Sequence, residues 1–186
     1  GGPLPAPATF DPTDKRWVEI WNDVFMQYNK TAEGTFVPLS QQNVDTGMGL
    51  ERVTCVLAGQ RSCYDTELFA PLFARLAAIA GHANPRAERS GRIVAEHLRA
   101  ATFIMADGVK PGNLGQAYVL RRLIRRAIRE CRKLGVTRPF ATDLADTVIG
   151  HYQAAFPELL RAREAILGEL AREEEQFGKT IERGER

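Results

Sequence analysis

Cysteine is scarce: Cys55, Cys63 and Cys131 are the three in 186 residues. An odd, widely spaced set without a Cys-x-x-Cys pair excludes a dense disulfide framework. The histidines, His82, His97 and His151, do not stand at metal-ligand spacing from those cysteines, so no bound metal is expected in this segment. The thiols read as reduced, which suits a reducing compartment. Long apolar runs are missing too. Nothing approaches the roughly 20 residues that cross a bilayer, and no stretch reads as a signal peptide, so the expected setting is cytoplasmic with no membrane partner. A large excess of charge is also absent. At a net charge of +2, any affinity for nucleic acid must come from where the charges sit. What is present, 44% hydrophobic and 26% charged residues, is the make-up of a folded chain with one large domain or two small ones.

Residues 1–16 hold four prolines and read as a loop or an edge. From Val18 to Tyr28 apolar and polar residues alternate with a period of two, which predicts a strand. Ala32-Glu33-Gly34 supplies a turn, and Thr35 to Leu39 could return as the hairpin partner. The apolar face of this strand contains Trp21 or Val24, depending on register. A helix follows from Glu51, with Val53, Val56 and Leu57 on one side and Gly59 as its stop.

Beyond about residue 64 the pattern is helical. Pro71 opens a helix with the stripe Leu72, Phe73, Leu76 and Ile79, ended by Gly81. Ser90 is the predicted N-cap of a second, burying Ile93, His97 or Leu98, Ala101 and Ile104 before Gly108. A third runs from Gln116 to Leu134. Asp143 opens a fourth, which buries Leu144, Val148, Ile149, Tyr152 and Phe156 as far as Pro157. After Glu158 the apolar residues are too sparse for a core of their own. These elements predict an α+β fold: a short antiparallel strand element over residues 1–60, then a mainly α-helical domain over 61–186.

Residues 43–52 read Asn43-Val44-Asp45-Thr46-Gly47-Met48-Gly49-Leu50-Glu51-Arg52. The two glycines let a ligand approach the backbone closely. Asp45 can hold an amino group, and Arg52, near a helix start, can fork onto phosphate. The plain alternative is a strand-to-helix turn with a surface ion pair. The longer string Gly-x-Gly-x-Glu-Arg resembles the third signature motif of class II aminoacyl-tRNA synthetases, and Val-Asp-Thr before it resembles the alanyl-tRNA synthetase version. Glu19 to Asn29, Tyr64 to Phe69 and Val94 to Gly108 are similar to that family as well. The likeness extends from Trp17 to Gly184.

That resemblance implies a class II sheet element followed by a tRNA-recognition domain. It also implies an alanine pocket lined by Asn22, Val24, Asp45 and Gly47, with ATP contacts at Gly49 and Arg52. ATP and Mg²⁺ would serve the full-length enzyme, in which the carboxylate of alanine attacks the α-phosphate. The first two class II motifs are not in this sequence. The expectation is therefore a fragment of a longer synthetase that does not form the adenylate alone.

Residues 118–133, YVLRRLIRRAIRECRK, place Leu120, Leu123, Ile124, Ala127, Cys131 and Leu134 on one helical arc. Arg121, Arg122, Arg125, Arg126, Arg129, Arg132 and Lys133 fill the other, with Glu130 as the one acid there. This face reads as a phosphate-binding surface, or else as a solvated face paired with Glu173-Glu174-Glu175. The resemblance favours the first reading and a tRNA(Ala) acceptor stem, rather than DNA, as partner. Asn113 matches the family asparagine that reads a G·U wobble pair from the minor groove. Where the family usually has Pro-Ser-Asn-Glu-x-Arg-Gly-Tyr, this chain has Pro111-Gly112-Asn113-Leu114-Gly115-Gln116-Ala117-Tyr118. Two alternatives remain at this level: a stand-alone RNA-binding relative without catalysis, and a helical protein-interaction module using the charged residues 158–186.

Overall fold

The structure, a computed structural model, describes residues 9–14, 16–81 and 84–184. Residues 1–8 of the proline-rich stretch, and His82, lie outside these. The chain is α+β and divides into two compact units, Gly1–Thr66 and Glu67–Arg186.

The first unit is a hairpin and a short helix. β1 (Trp21–Lys30) pairs antiparallel with β2 (Phe36–Met48), joined by a turn in which Gly34 has φ +84°. That angle is open to glycine at little steric cost. β2 is much longer than the predicted return of Thr35 to Leu39. It runs through Asn43–Met48, so the glycine-carboxylate segment is strand rather than turn. Pairing carries it on: Trp21 faces Met48, and the register slips only between Met26 and Tyr28. Every residue of β1 is exposed, and of β2 only Leu39 is not. Trp21 and Val24, the two register-dependent candidates, are both exposed, at 58% and 51%. α1 (Leu50–Leu57) buries Cys55, whereas Val56 and Leu57 face outward, against the predicted stripe; Gly59, at φ +62°, ends it as expected.

The second unit is all helical. α2 (Ala70–Ala80) buries the predicted Leu72, Phe73, Leu76 and Ile79, and Gly81, at φ +71°, donates its N–H to the Ala77 carbonyl. α3 (Arg89–Ala106) buries Val94, Leu98, Ala101 and Met105. Leu98, one of the two alternatives at that turn, and Ala101 are thus buried as predicted, whereas Ile93, His97 and Ile104 are only partly covered. Nor is Ser90 the N-cap. Glu88 holds that place, and the Ser90 hydroxyl lies in the first turn, donating to Glu130 at 2.8 Å. α4 (Gly115–Lys133) buries Leu120, Ile124, Ala127, Ile128 and Cys131. α5 (Ala141–Tyr152) starts before Asp143, which instead pairs with Arg75 at 3.0 Å. Its first N–H groups, on Phe140 and Ala141, donate to Glu174 at 3.0 and 3.1 Å. α5 stops at Tyr152, leaving Phe156 outside it and 38% exposed. α6 (Pro157–Arg161) and α7 (Arg163–Glu182) carry the charged tail, whose sparse apolar residues join the core of the other helices rather than forming one of their own. Leu159, Ile166 and Leu170 are fully buried, because helical spacing collects the few apolar residues on one side. The core of the unit lies where Leu76, Leu98, Ile124, Leu144 and Leu170 are all shut from solvent. Each such leucine contributes about 1.5–3 kcal/mol by leaving water.

Candidate functional site

In the first unit the hairpin register assembles the strand residues. Asn22 stands opposite Gly47 and Val24 opposite Asp45. Opposed residues in an antiparallel pair share a face, as do residues two apart, so all four project from one side of the ribbon. The side is open to solvent. A Cβ on Gly47 would stand 3.7 Å from Asn22 Oδ1, an ordinary contact, so the neighbours do not demand glycine; its effect is to leave the face bare beside Asn22.

Gly49 precedes α1 and Arg52 lies in its first turn. A Cβ on Gly49 would approach Arg52 Cδ to 3.2 Å, so the glycine lets the arginine stem fold back over the helix start. Arg52 Nη1 donates to the Glu19 carbonyl at 2.9 Å and stands 3.6 Å from the Glu19 carboxylate. Asn22 Nδ2 also donates to that carboxylate, at 3.2 Å. Glu19 therefore ties Asn22 and Arg52 together. Sequence reasoning did not single it out, although its place three residues before Asn22 was visible. Such exposed pairs contribute little energy, and they leave Arg52 free to exchange its partner for a stronger anion.

In the second unit the arginine face divides. Arg125 Nε donates to Glu173 Oε1 at 2.6 Å, and Arg121 Nε lies 3.4 Å from Glu173 Oε2. Glu173 is buried. A buried carboxylate needs such partners, and losing one is far more costly than breaking a surface pair. Part of the expected pairing with the acidic tail is thus present, but only at Glu173. Glu174 turns to the start of α5, and Glu175 pairs with Lys179 at 2.6 Å on its own helix. Burial pushes the Glu174 carboxyl up, against the two backbone N–H groups that pull it down.

Arg122, Arg126 and Arg129 are exposed and recur along one line of α4. With Tyr118, His97 and Phe177 they edge a cleft of about 530 Å³. The Arg122 guanidinium stands 5.8 Å from the Tyr118 ring and that of Arg125 5.0 Å from Phe177. Tyr118 could have been found from its place one turn before Arg122; Phe177, from a distant helix, carries no local signal. His97 is held neutral-leaning: burial lowers its pKa, despite a backbone hydrogen bond at Leu123 that raises it. Burial also pushes the Cys131 thiol up to about 12, which makes it a core group rather than a nucleophile.

Asn113 sits in the loop before α4. Its Oδ1 accepts from Arg121 Nη1, and Arg121 Nη2 reaches the Pro111 carbonyl at 3.4 Å. The Gly112 N–H donates to the Ala117 carbonyl at 2.9 Å. Asn113 and the next residue, Leu114, are both exposed. Among the described residues no group of three or more His, Cys, Asp or Glu could hold a metal ion, and no helix is long and apolar enough to cross a membrane.

Residues 5–186 match the family described as tRNA synthetases class II (A). The chain is 50% identical over 175 residues to the alanine–tRNA ligase of Treponema pallidum (strain Nichols), covering 91% of this chain and 29% of that protein. It is 46% identical over 187 residues to that of Acidithiobacillus ferridurans, and 47% over 184 residues to that of Pseudoalteromonas translucida (strain TAC 125). Each of these two alignments covers 99% of this chain and 21% of the relative. The chain thus spans between a fifth and three tenths of the length of these relatives. A match over nearly all of its residues places this chain in the class II (A) tRNA synthetase family.

Proposed function

We propose that the chain is a segment of a cytoplasmic alanine–tRNA ligase, residues 1–60 closing its aminoacylation domain and 61–186 forming its tRNA-recognition domain. The observation that carries the RNA part is the exposed line Arg122, Arg126 and Arg129, with Asn113 in the loop before the same helix, while Arg121 and Arg125 are already matched by Glu173. Three exposed guanidinium groups on one helix side, with no ion pair among the described residues, suit the phosphates of an acceptor stem.

The hairpin supplies half of an alanine and ATP site. Asp45 would take the alanine amino group, with Asn22 and Val24 along the ligand and bare Gly47 leaving it room. Arg52, released from Glu19, would hold the triphosphate over Gly49. In the full-length enzyme the alanine carboxylate attacks the α-phosphorus, forming alanyl-adenylate and releasing pyrophosphate. A terminal ribose hydroxyl of tRNA then takes the alanyl group and AMP leaves. Mg²⁺ would offset charge on the triphosphate, and no ligand for it is assigned among the described residues.

The test is a titration of labelled acceptor-stem minihelices, with G·U or with G·C at the recognised pair, at two salt concentrations. The wobble helix is expected to bind more tightly, and Asn113→Ala to remove the preference. Arg122→Ala should weaken both helices alike and lower the salt slope by about one unit. Equal, salt-sensitive binding of both helices would reduce the chain to a non-specific RNA binder. No binding at low salt would sink the RNA reading.

A further inference from the structure

We propose that Cys55 and Cys63 are a reversible disulfide site, which an oxidant of the hydroperoxide class closes and a dithiol reductant reopens. The two cysteines stand eight residues apart, a spacing with no signal in it, yet the fold brings their side chains into hydrogen-bonding contact. Cys55 lies buried in the last turn of α1, while Cys63 opens the 3₁₀ turn Cys63–Asp65 and is partly exposed. Each thiol has one proton to give. That of Cys55 goes to the Gln60 carbonyl, 3.3 Å away, so its sulfur is left to accept from Cys63. Both ends of the intervening loop are held. The Gln60 N–H donates to the Cys55 carbonyl at 2.9 Å, with Gly59 making the turn at φ +62°. At the other end the Thr66 hydroxyl donates to the Cys63 carbonyl at 2.6 Å, and the Ser62 hydroxyl accepts from the Tyr64 N–H at 3.3 Å. The sulfurs thus meet on a backbone fixed on both sides. That is what a disulfide requires, since cysteines that point apart cannot be joined without moving the chain.

The chemistry balances with hydrogen peroxide as oxidant. Cys63, the more exposed, attacks as thiolate and takes one peroxide oxygen, giving a sulfenic acid and hydroxide, which the displaced thiol proton turns to water. The Cys55 sulfur then attacks the sulfenic sulfur. The S–S bond forms, the S–O bond breaks, and the oxygen leaves as a second water with the Cys55 thiol proton. Two thiols are oxidised by two electrons, and one peroxide is reduced to two waters. Burial, then the charge of Cys55, the hydrogen bond with it and the charge of Glu51, push the Cys63 thiol up. Thiolate is therefore scarce near neutrality, and the pair stays reduced unless oxidant persists. Among the described residues no third His, Cys, Asp or Glu completes a metal site around the pair, which leaves each sulfur to the other. The bridge would fasten the end of the helix that carries Arg52 to the turn that follows it.

The experiment treats this chain with hydrogen peroxide in mildly alkaline buffer, blocks the remaining thiols with a maleimide in denaturant, and maps tryptic peptides without reduction. Arg61 falls between the two cysteines, so trypsin releases them on separate peptides, 53–61 and 62–75, unless a bridge joins them. The joined pair is expected, with Cys131, fully buried in α4, carrying maleimide. Dithiothreitol given before the maleimide should return both cysteines to the free form. Cys55→Ser should stop at a Cys63 sulfenic acid that dimedone traps, and Cys63→Ser should leave Cys55 unoxidised at the same dose. The rate of bridging should climb about tenfold per pH unit above neutrality, and go on climbing past about pH 8.5, where an ordinary thiol levels off. A Cys63 sulfinic acid beside a free Cys55 would overturn the proposal, because it means that the second sulfur cannot reach the first. So would a link through Cys131, a link between two chains, or full resistance of both thiols to the oxidant.

Discussion

Glu130 shows at the scale of one residue how an acid sits among arginines. It is buried, accepts from Lys133 Nζ at 2.9 Å and from the Ser90 hydroxyl at 2.8 Å, and so ties α4 to the first turn of α3. Burial pushes its carboxyl up, but the hydrogen bonds from Lys133 and Ser90, with the charges of Lys133 and Arg129, outweigh that and hold it below the usual range. A carboxyl depressed on folding stabilises the fold above its unfolded pKa, near 4.3, and that contribution is lost as pH falls through the folded value. Glu130→Gln is accordingly expected to lower stability near pH 7 by about 1–3 kcal/mol, the worth of hydrogen bonds to a charged group. The gap between the two proteins, followed by urea melts from pH 7 down to pH 3, should close in acid. A gap that stays constant would mean that the ionised form contributes nothing. The sequence put Glu130 on the arginine arc, whereas the structure buries it, and its partner Ser90, 40 residues away, was invisible from there.

The loop before α4 is the element in which this chain departs from the usual family string, and the structure supplies a reason for the departure. A Cβ added at Gly112 would stand 2.7 Å from the Ala117 Cβ, too close for either to keep its place. Only one of positions 112 and 117 can carry a side chain, so alanine at 117 is matched by glycine at 112. Gly112→Ser should cost about 1–3 kcal/mol, as overpacking does. Gly112→Ser combined with Ala117→Gly should recover most of that, which a double-mutant cycle on denaturant melts would measure. Additive costs would show that the two positions do not meet. Elsewhere, what the sequence revealed at this scale depended on local signals. The α2 stripe and its Gly81 end were legible because a clean 3.6-residue pattern closes on glycine. The length of β2 was not, because two glycines in Thr46–Gly49 suggested a turn, whereas pairing with β1 keeps the chain extended to Met48. On α3, Leu98 and Ala101 are buried as read, but Val94 and Met105, each one residue along, take the places expected of Ile93 and Ile104. For the candidate sites, Asn22, Val24, Asp45 and Gly47 were named, but that they share one face needed the register. Which arginines are matched by Glu173 needed the packing of α7.

At the scale of the whole molecule the two units differ in how they shield their backbones. Both faces of the hairpin are open, with Phe25 75% exposed, whereas α3, α4, α5 and α7 each bury several side chains completely. A two-stranded hairpin with no covered face is marginal in water. Amide hydrogen exchange on this chain should therefore show Trp21–Lys30 exchanging faster than the buried turns of α3 and α4, by on the order of a hundredfold or more. Equal protection would mean that something other than its own pairing shields the hairpin. The same asymmetry fits a chain that covers only 29% or less of relatives such as those above. The carboxylate that caps α5 has a consequence in time as well as in space. Glu174 takes the Ala141 N–H from 33 residues further along the chain. While the polypeptide is being made, α5 leaves the ribosome with its leading N–H groups turned to water, and gains its cap only when the middle of α7 emerges. Until then α7 holds back the completion of a helix made well before it, and a ribosome paused between those two points would carry a nascent chain with a frayed fifth helix.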